Sequence, residues 1–203
     1  QQQVNDGYLN WVTDSLDQAL EWVDKGLYEK KPTSVCIVGN AATVATELLK
    51  KKRIPDIVTD QTPAHNLMEY IPEGKNYKWN LWYRDKDPEE YLELSKTTLL
   101  KHAHALKALQ KKGAIVFDYG NQLQEQAENY GLSMRKKDGT FIFPSFIEEY
   151  IRPLFCKGVG PFRWTVLSGL KKDLLAIDKA LINAFPKKLA LKRWIKQAQH
   201  QVN

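Results

Sequence analysis

The sequence lacks the features that mark several classes of protein. It has only two cysteines among 203 residues, too few for a disulfide framework. No stretch approaches the roughly 20 apolar residues that a membrane helix requires, and the chain does not open on a signal-peptide pattern. It begins without Met and contains no repeat or low-complexity segment. We therefore expect a cytoplasmic chain with no membrane partner, and an internal segment of a longer protein.

The residues that are present have the composition of an ordinary globular protein. Hydrophobic residues make up 43% of the chain and charged residues 27%, which suits one domain with a substantial core. Cys36 lies in an apolar run and is expected to be a buried small hydrophobe, whereas Cys156 is freer. His102 and His104 are two residues apart on a predicted helix and so on different faces, and no metal site is expected.

The net charge of +6 leaves two interpretations open. A basic surface is typical of nucleic-acid binding, so a basic binding module with a Rossmann-like core is one alternative. The densest basic runs, at 50–53 and 111–112, come where predicted helices end, and cations there complement the helix dipole without a ligand. We favour solvated helix ends and expect no nucleic-acid partner.

The order of the predicted elements is the most informative feature of the chain. Ser15 and Gln18 form a capping box that starts a first helix, which Pro32 ends. The remaining pattern predicts strands at 33–38, 54–59 and 114–117, helices at 41–52, 88–110 and up to 130, and an irregular aromatic stretch at 66–87. Apolar strands that alternate with helices predict an α/β fold, a Rossmann-like three-layer domain with a mostly parallel sheet. The part from about 141 to 203 is expected to be a helical C-terminal subregion, with helices at 171–185 and 189–202.

Polar residues follow each predicted strand. They are Gly39-Asn40-Ala41, Asp60-Gln61-Thr62 and Asp118-Tyr119-Gly120-Asn121. In open α/β sheets ligands bind outside the carboxyl ends of the strands, and a helix that begins there attracts phosphate. The same residue types also form ordinary turns and caps. Three such loops at one sheet edge support a nucleotide-like ligand and plain turn chemistry about equally.

A dinucleotide fingerprint is absent. Gly158 and Gly160 have its first spacing, but Arg163 stands where the third glycine belongs, and no βαβ unit surrounds the run. The loop presents Arg163, a side chain suited to a carboxylate, although stacking of Arg163 on Trp164 at the surface fits the sequence equally well. The missing fingerprint and the lack of an acidic residue placed to bind ribose argue against an ordinary NAD-dependent dehydrogenase.

Four motifs in these loops resemble those of one family. They are Gly39-Asn40-Ala41-Ala42, Val58-Thr59-Asp60-Gln61-Thr62-Pro63-Ala64-His65, Phe117-Asp118-Tyr119-Gly120-Asn121 and residues 150–164, which read YIRPLFCKGVGPFRW. In order and spacing the sequence resembles the urocanate hydratase (urocanase) family, from about Gly7 to Trp194. Agreement of four separate motifs makes the resemblance specific.

The resemblance implies a lyase of histidine breakdown, which adds water to urocanate to give imidazolone propionate. In this family NAD⁺ is bound tightly and acts as an electrophile. The imidazole ring of the substrate attacks the nicotinamide, water adds to the adduct, and the cofactor is released unchanged. The resemblance also implies a cytoplasmic enzyme that forms a homodimer at full length.

Carried over motif by motif, the resemblance assigns contacts to this sequence. The NAD contacts are Asn40, Ala41, Gln61, Thr62, Pro63, Ala64, His65, Tyr70, Ile71 and Tyr119. Arg163 is expected to hold the propenoate carboxylate of urocanate. Two departures matter: Pro63 stands where the family usually has Ser, and the stretch between His65 and Tyr70 is one residue shorter than the common form.

The resemblance also places parts of the enzyme outside this chain. It implies a glycine-rich phosphate loop before Gln1 and a reactive cysteine beyond Asn203, so Cys156 is not taken for the catalytic cysteine and no catalytic residue is assigned. Residues 1–203 are therefore expected to be the central NAD-binding domain of a longer urocanase, folded but inactive by itself.

Overall fold

The computed structural model describes residues 2–160 and 164–200, which fall into two units, Gln1–Lys157 and Gly158–Asn203. In the first unit short strands alternate with helices. The strands are β1 (Trp11–Thr13), β2 (Val35–Ile37), β3 (Ile57–Asp60) and β4 (Ile115–Asp118). The helices are α1 (Gln2–Asn5), α2 (Leu16–Glu29), α3 (Ala41–Lys50), α4 (Tyr77–Lys86), α5 (Pro88–Lys111), α6 (Leu123–Asn129) and α7 (Arg152–Phe155), with a π-helical turn at Ile147–Ile151 before the last. The α/β class of a Rossmann-like domain is confirmed.

The strands pair in parallel, as predicted. β1 pairs with β2, and β3 pairs with β4, with Asp60 opposite Asp118. Strand β1 is not predicted from the sequence, because only two apolar residues, Trp11 and Val12, mark it, whereas β2 lies in a run of four. Cys36, predicted to be buried, is only partly buried, like its neighbours in β2. A two-stranded pair shields its residues less than the middle of a wide sheet does.

The core of the first unit is built on helix α5. Leu99, Ala103, Leu106 and Leu109 recur every three or four positions and are almost completely buried, so one stripe of the helix faces the core. Val116 of β4 belongs to the same cluster. Each buried leucine contributes about 1.5–3 kcal/mol, and α5 is therefore the main support of the elements around it.

Helix α5 begins and ends near the predicted residues. Asp87 caps it by accepting a hydrogen bond from the Glu90 N–H (3.1 Å). Lys111 lies in its last turn, and Lys50 lies in the last turn of α3, which confirms that both basic runs mark helix ends. Although α5 has 24 residues, neither it nor another helix in the described ranges combines the length and the apolar character that a membrane crossing needs.

Helix α2 begins at the predicted capping box, but the box is only half formed. Ser15 Oγ accepts a hydrogen bond from the Gln18 N–H (3.3 Å). The Gln18 side chain accepts from Thr13 Oγ1 (2.8 Å) instead of the Ser15 N–H, which itself donates to Thr13 Oγ1 (3.0 Å). Thr13 thus joins the end of β1 to the start of α2.

Residues 66–87 are not irregular throughout, contrary to the prediction, because they include helix α4. Asn76 caps this helix by accepting a hydrogen bond from the Trp79 N–H (2.9 Å). Trp79 stacks on Tyr83 one turn later, with ring centroids 4.4 Å apart. Aromatic residues have modest helix propensity, so this stacking between turns stabilises a helix that the residue pattern hides.

The second unit contains helices α8 (Lys171–Ala184) and α9 (Leu189–Gln199). Both are predicted from the sequence, although α9 was expected to run to residue 202, which lies outside the described residues. Residues 141–157, which the prediction assigned to the helical C-terminal subregion, lie in the first unit.

A small polar cluster joins the parts of the second unit. The Asp178 carboxylate accepts hydrogen bonds from Trp164 Nε1 (3.0 Å) and from Gln199 Nε2 (2.9 Å). Trp164 also meets Trp194 edge-on, with centroids 5.7 Å apart. Among the described residues of this unit, one hydrophobic residue is buried, Ile195. We call Trp164, Asp178, Trp194 and Gln199 the C-terminal cluster.

Candidate functional site

A cavity of about 620 Å³ lies in the first unit where β1, β2 and β3 end. Residues that follow these strands line it: Asp14 after β1, Gly39 after β2 and Thr62 after β3. Open α/β sheets bind ligands at this position. Six of the predicted cofactor contacts line the cavity, namely Asn40, Ala41, Thr62, Pro63, Tyr70 and Ile71. The structure therefore brings together the first two polar loops that the sequence singles out.

The Asn40 side chain supports two sides of this cavity. Its Oδ1 accepts hydrogen bonds from the N–H groups of Ala42 (3.0 Å) and Thr43 (3.3 Å), which caps helix α3. Its Nδ2 donates to the carbonyl of Ile71 (2.8 Å). Because the amide is engaged at both ends, Asn40 holds the cavity in shape, and a ligand would meet the N-terminus of α3 beside it.

Buried Asp60, the last residue of β3, ties two loops together. Its carboxylate accepts hydrogen bonds from the Thr62 N–H (3.1 Å) and from Thr62 Oγ1 (2.9 Å). It also accepts from Asn121 Nδ2, which donates in addition to the Thr62 carbonyl (2.9 Å). Asn121 Oδ1 is buried and has no hydrogen-bond partner in the described part of the chain. The loops after β3 and β4 are thus joined through one carboxylate.

Tyr70 lines the cavity, and its hydroxyl points to a buried histidine. The hydroxyl oxygen lies 2.9 Å from Nδ1 of His102 on α5. Burial raises the pKa of the Tyr70 hydroxyl, the charge of Asp60 adds to the rise, and the Thr62 side chain opposes it. Burial also lowers the pKa of His102, against the opposing charge of Asp60. His104 is exposed, on another face of α5 from buried His102, as their spacing predicts.

Residues 70–73, which we call the wall segment, are bonded to α5 through their backbone. The Tyr70 carbonyl accepts a hydrogen bond from Ser95 Oγ (2.8 Å). The Glu73 N–H donates to Thr98 Oγ1 (3.1 Å). Both α5 side chains are buried, so the helix replaces the water that an exposed loop would bind.

The Glu73 side chain adds a link between α3 and α5. Its carboxylate accepts a hydrogen bond from Thr43 Oγ1 (3.0 Å) and lies 2.6 Å from Lys101 Nζ. The ion pair is partly exposed and contributes little by itself, of the order of 1 kcal/mol or less. Its role is to hold the end of the wall segment between two helices.

Four of the predicted cofactor contacts do not line this cavity. Ala64 is completely buried in the core, Gln61 is exposed, and His65 lines a separate cavity of about 340 Å³. A tight turn, in which the Ala64 N–H donates to the Thr62 carbonyl (2.8 Å), separates His65 from the residues before it. Tyr119 is half exposed and stacks on Phe146, with centroids 4.9 Å apart. Arg163 lies outside the described residues.

Several lining residues were not predicted. They include Asp14, Glu69, Lys75, Asn76 and Tyr77. Lys75 and Asn76 precede helix α4, which the sequence hides, whereas Asp14 follows a strand too short to recognise. Asp14 and Glu69 add two carboxylates to the lining, a type of side chain that hydrogen-bonds ribose hydroxyls. The missing fingerprint remains the argument against an ordinary dehydrogenase.

The basic run at 50–53 is largely offset by acidic side chains. Three of its members form ion pairs: Lys50 with Glu47, Lys51 with Asp17 and Arg53 with Asp24. A hydrogen bond from the guanidinium of Arg53 lowers the pKa of Asp24. Paired charges attract phosphates less than free ones, which favours the interpretation of the run as a solvated helix end.

The cavity offers binding groups of three kinds. Helices α3 and α4 both begin at its lining, and helix N-termini favour anions. Lys75 supplies a cation, and Asp14 and Glu69 supply acceptors for hydroxyl groups. Pro63, Ile71 and Tyr70 contribute apolar surface. Such a mixture suits a ligand that carries phosphate, sugar and aromatic ring together.

Comparison with known protein families covers nearly the whole chain. The family model for the urocanase Rossmann-like domain matches residues 1–150, and the model for the urocanase C-terminal domain matches residues 153–203. The first match alone spans well over half of the 203 residues, and the matches follow each other along the chain. The chain belongs to the urocanase family.

Proposed function

We propose that this chain carries the NAD⁺-binding part of a urocanate hydratase, which adds water to urocanate in histidine breakdown. The observation that carries the proposal is the composition of the large cavity. Six residues that the family resemblance assigns to NAD⁺, from Asn40 to Ile71, line one cavity at the ends of three strands. They come from separate parts of the chain, which would not meet unless the fold assembled them.

The residues present fit a dinucleotide. Cofactor sites typically measure about 300–1,000 Å³, and this cavity measures about 620 Å³. The start of α3 and Lys75 suit the phosphates, and Asp14 or Glu69 suits a ribose. When bound, NAD⁺ would supply an electrophilic nicotinamide ring for the imidazole of urocanate.

The chain's own residues would then bind and orient. Asn40 and the wall segment keep the cavity in shape, while Thr62 and Pro63 form the side contributed by the loop after β3. The exposed Tyr119 ring, supported by Phe146, offers a flat surface for a planar ring. Arg163 is proposed to hold the urocanate carboxylate as a bidentate partner. A cytoplasmic homodimer without a nucleic-acid partner is part of the same proposal.

Calorimetric titration with NAD⁺ tests the cofactor site. Ala41→Leu places three added carbons in the cavity and should weaken binding at least tenfold, about 1.4 kcal/mol. Ala176→Leu makes the same change at an exposed position of α8 and should leave the affinity unchanged. In an active enzyme containing this chain, absence of binding at millimolar NAD⁺, or equal effects of the two substitutions, would overturn the assignment of the cavity.

Steady-state kinetics in an active enzyme containing this chain tests the role of Arg163. Arg163→Lys should raise the KM for urocanate more than it changes NAD⁺ retention, because an ammonium cannot reproduce the fork of a guanidinium. The loss of urocanate's ultraviolet absorbance measures the rate. An unchanged KM in a folded variant would favour the alternative interpretation, in which Arg163 stacks on Trp164 at the surface.

Salt dependence separates this function from nucleic-acid binding. A module that binds phosphates through its lysines would lose affinity for duplex DNA or RNA steeply as salt rises. We expect that the protein does not retard duplex DNA or RNA in a gel at physiological salt. A retarded band with a steep salt slope would favour the basic-module alternative.

A further inference from the structure

We propose that His102 is a positioning residue for the cavity, which fixes the Tyr70 ring and, through it, the wall segment before any ligand arrives. The inference rests on the proposed function only for the identity of the ligand, NAD⁺. His102 itself does not line the cavity, so its effect on the ligand is transmitted by Tyr70.

The place of His102 in helix α5 is the first support. Tyr91, Ser95, Thr98 and His102 recur at intervals of four, three and four residues, so they lie on one face of the helix, and all four are buried. We call them the polar stripe of α5. Buried polar groups destabilise a helix face unless they are hydrogen-bonded.

The partners of this polar stripe are the second support. The hydroxyls of Tyr91 and Ser95 donate to the Tyr70 carbonyl, at 3.4 Å and 2.8 Å. Thr98 accepts from the Glu73 N–H. Every member of the polar stripe therefore contacts the wall segment, and this shared partner explains why polar residues occupy positions that would otherwise suit leucine.

Within the stripe, His102 is the member that contacts a side chain of the wall segment. Its Nδ1 pairs with the Tyr70 hydroxyl inside the core. Two influences act on the pKa of His102. Burial lowers it and the charge of Asp60 raises it, and the effect of burial is the larger. A neutral imidazole is thus kept as a fixed partner for the phenol.

Loss of this partner would leave the buried Tyr70 hydroxyl with one contact fewer. The ring would then gain by turning toward water in the cavity that Tyr70 lines. A ligand would have to restore the ring position on binding, which weakens its affinity, since preorganised sites avoid this ordering.

Two substitutions and one control separate positioning from plain stability. His102→Leu removes the ring nitrogens and leaves an apolar side chain of similar size. His102→Asn keeps a polar atom near the position of Nδ1. Leu106→Val, one turn along α5 in the same core, loosens packing but removes neither partner of the His102–Tyr70 hydrogen bond. Thermal unfolding is measured for all three, so that affinity changes can be compared at similar stability.

Titration with NAD⁺ should give at least a tenfold loss of affinity for His102→Leu. It should give less than a threefold loss for His102→Asn and no change for Leu106→Val. Affinity that falls in step with melting temperature in all three variants, or no rescue by asparagine, would overturn the positioning role.

Amide hydrogen exchange of the ligand-free chain gives an answer that does not depend on NAD⁺. Peptides covering the wall segment should exchange at least tenfold faster in His102→Leu, while those of α3 stay near wild type. If the wild type fails to bind NAD⁺ but His102→Leu still exchanges faster than the wild type in the wall segment, the cofactor assignment fails and the positioning role stands. Equal exchange in wild type and His102→Leu would refute the positioning role whether or not NAD⁺ binds.

Discussion

The two units of the chain differ in what holds them together. In the first unit, helix α5 presents an apolar stripe beside its polar stripe, and strand β4 and helix α6 pack against the helix. In the second, the described residues bury one hydrophobic residue, Ile195, and one charged residue, Asp178. The stability of the first unit therefore depends on burial of apolar surface. The stability of the second depends on the C-terminal cluster, whose hydrogen bonds are few and specific. Loss of a single side chain should accordingly act through different physical terms in the two units.

The largest effect is expected from Leu99→Ala in the first unit. Leu99 is completely buried, so truncation leaves a cavity and should lower the free energy of unfolding by about 2–5 kcal/mol. Leu189→Ala in the second unit removes the same atoms from a side chain that is 67% exposed, and should change stability by less than about 0.5 kcal/mol. Urea unfolding followed by circular dichroism measures both, and similar losses would abolish the contrast between the units.

An intermediate effect is expected from Asp178→Ala in the second unit. The substitution removes the acceptor for both Trp164 and Gln199, and hydrogen bonds to charged groups contribute about 1.5–3 kcal/mol each before relaxation. We expect peptides of α8 and α9 to exchange amide hydrogens faster, while peptides of α5 are unaffected.

Asp178→Asn serves as the matched control, because its amide keeps one acceptor oxygen. Exchange in α8 and α9 should then lie between those of the wild type and Asp178→Ala. Unchanged exchange in Asp178→Ala would mean that apolar contacts, not the C-terminal cluster, hold the second unit.

The smallest effect is expected from pH acting on His102. Burial lowers the folded-state pKa of His102 below its ordinary value of 6.5, so the unfolded chain takes up a proton first as pH falls. Stability is therefore fully present above pH 6.5 and declines below it, by at most about 0.8 kcal/mol at pH 6.0 for one such group. Thermal melts between pH 7.5 and 6.0 should show a shallower decline for His102→Asn, and an equal slope would show that other groups dominate.

Much of the fold follows from the sequence because it depends on local pattern. Helix α5 carries an apolar repeat over many turns and an acidic cap, and the three longer apolar runs become β2, β3 and β4. Strand β1 and helix α4 escape notice for opposite reasons. The first is too short to show a pattern, and the second is stabilised by stacking of Trp79 on Tyr83, which depends on contact rather than on composition.

The site is predictable only where position along the chain implies position in space. Asn40 follows β2 and Thr62 follows β3, and their meeting can be expected because ligand sites lie beyond the carboxyl ends of such strands, although the two strands belong to separate two-stranded sheets. The exposure of His65 on another side depends on a turn between neighbours that the strand pattern does not specify. The polar stripe of α5 leaves a signal in the sequence, since Ser95, Thr98 and His102 interrupt an apolar face, but their partner on the wall segment becomes visible only after folding.

The carboxylates of Asp60 and Asp118, at the ends of β3 and β4, affect the register in which the two strands pair. Asp60 lies opposite Asp118, and each accepts a hydrogen bond from the N–H two residues later, of Thr62 and Gly120 respectively. The strands have only four residues each, too few for alternation of side chains to select one register securely. A slip by one residue would carry Asn121 away from Asp60 and leave a buried charge short of a donor, a loss of about 1.5–3 kcal/mol. Pairings in the wrong register are therefore less stable during folding. The carboxylate that joins the two loops also helps to select the register of the strands that lead into them.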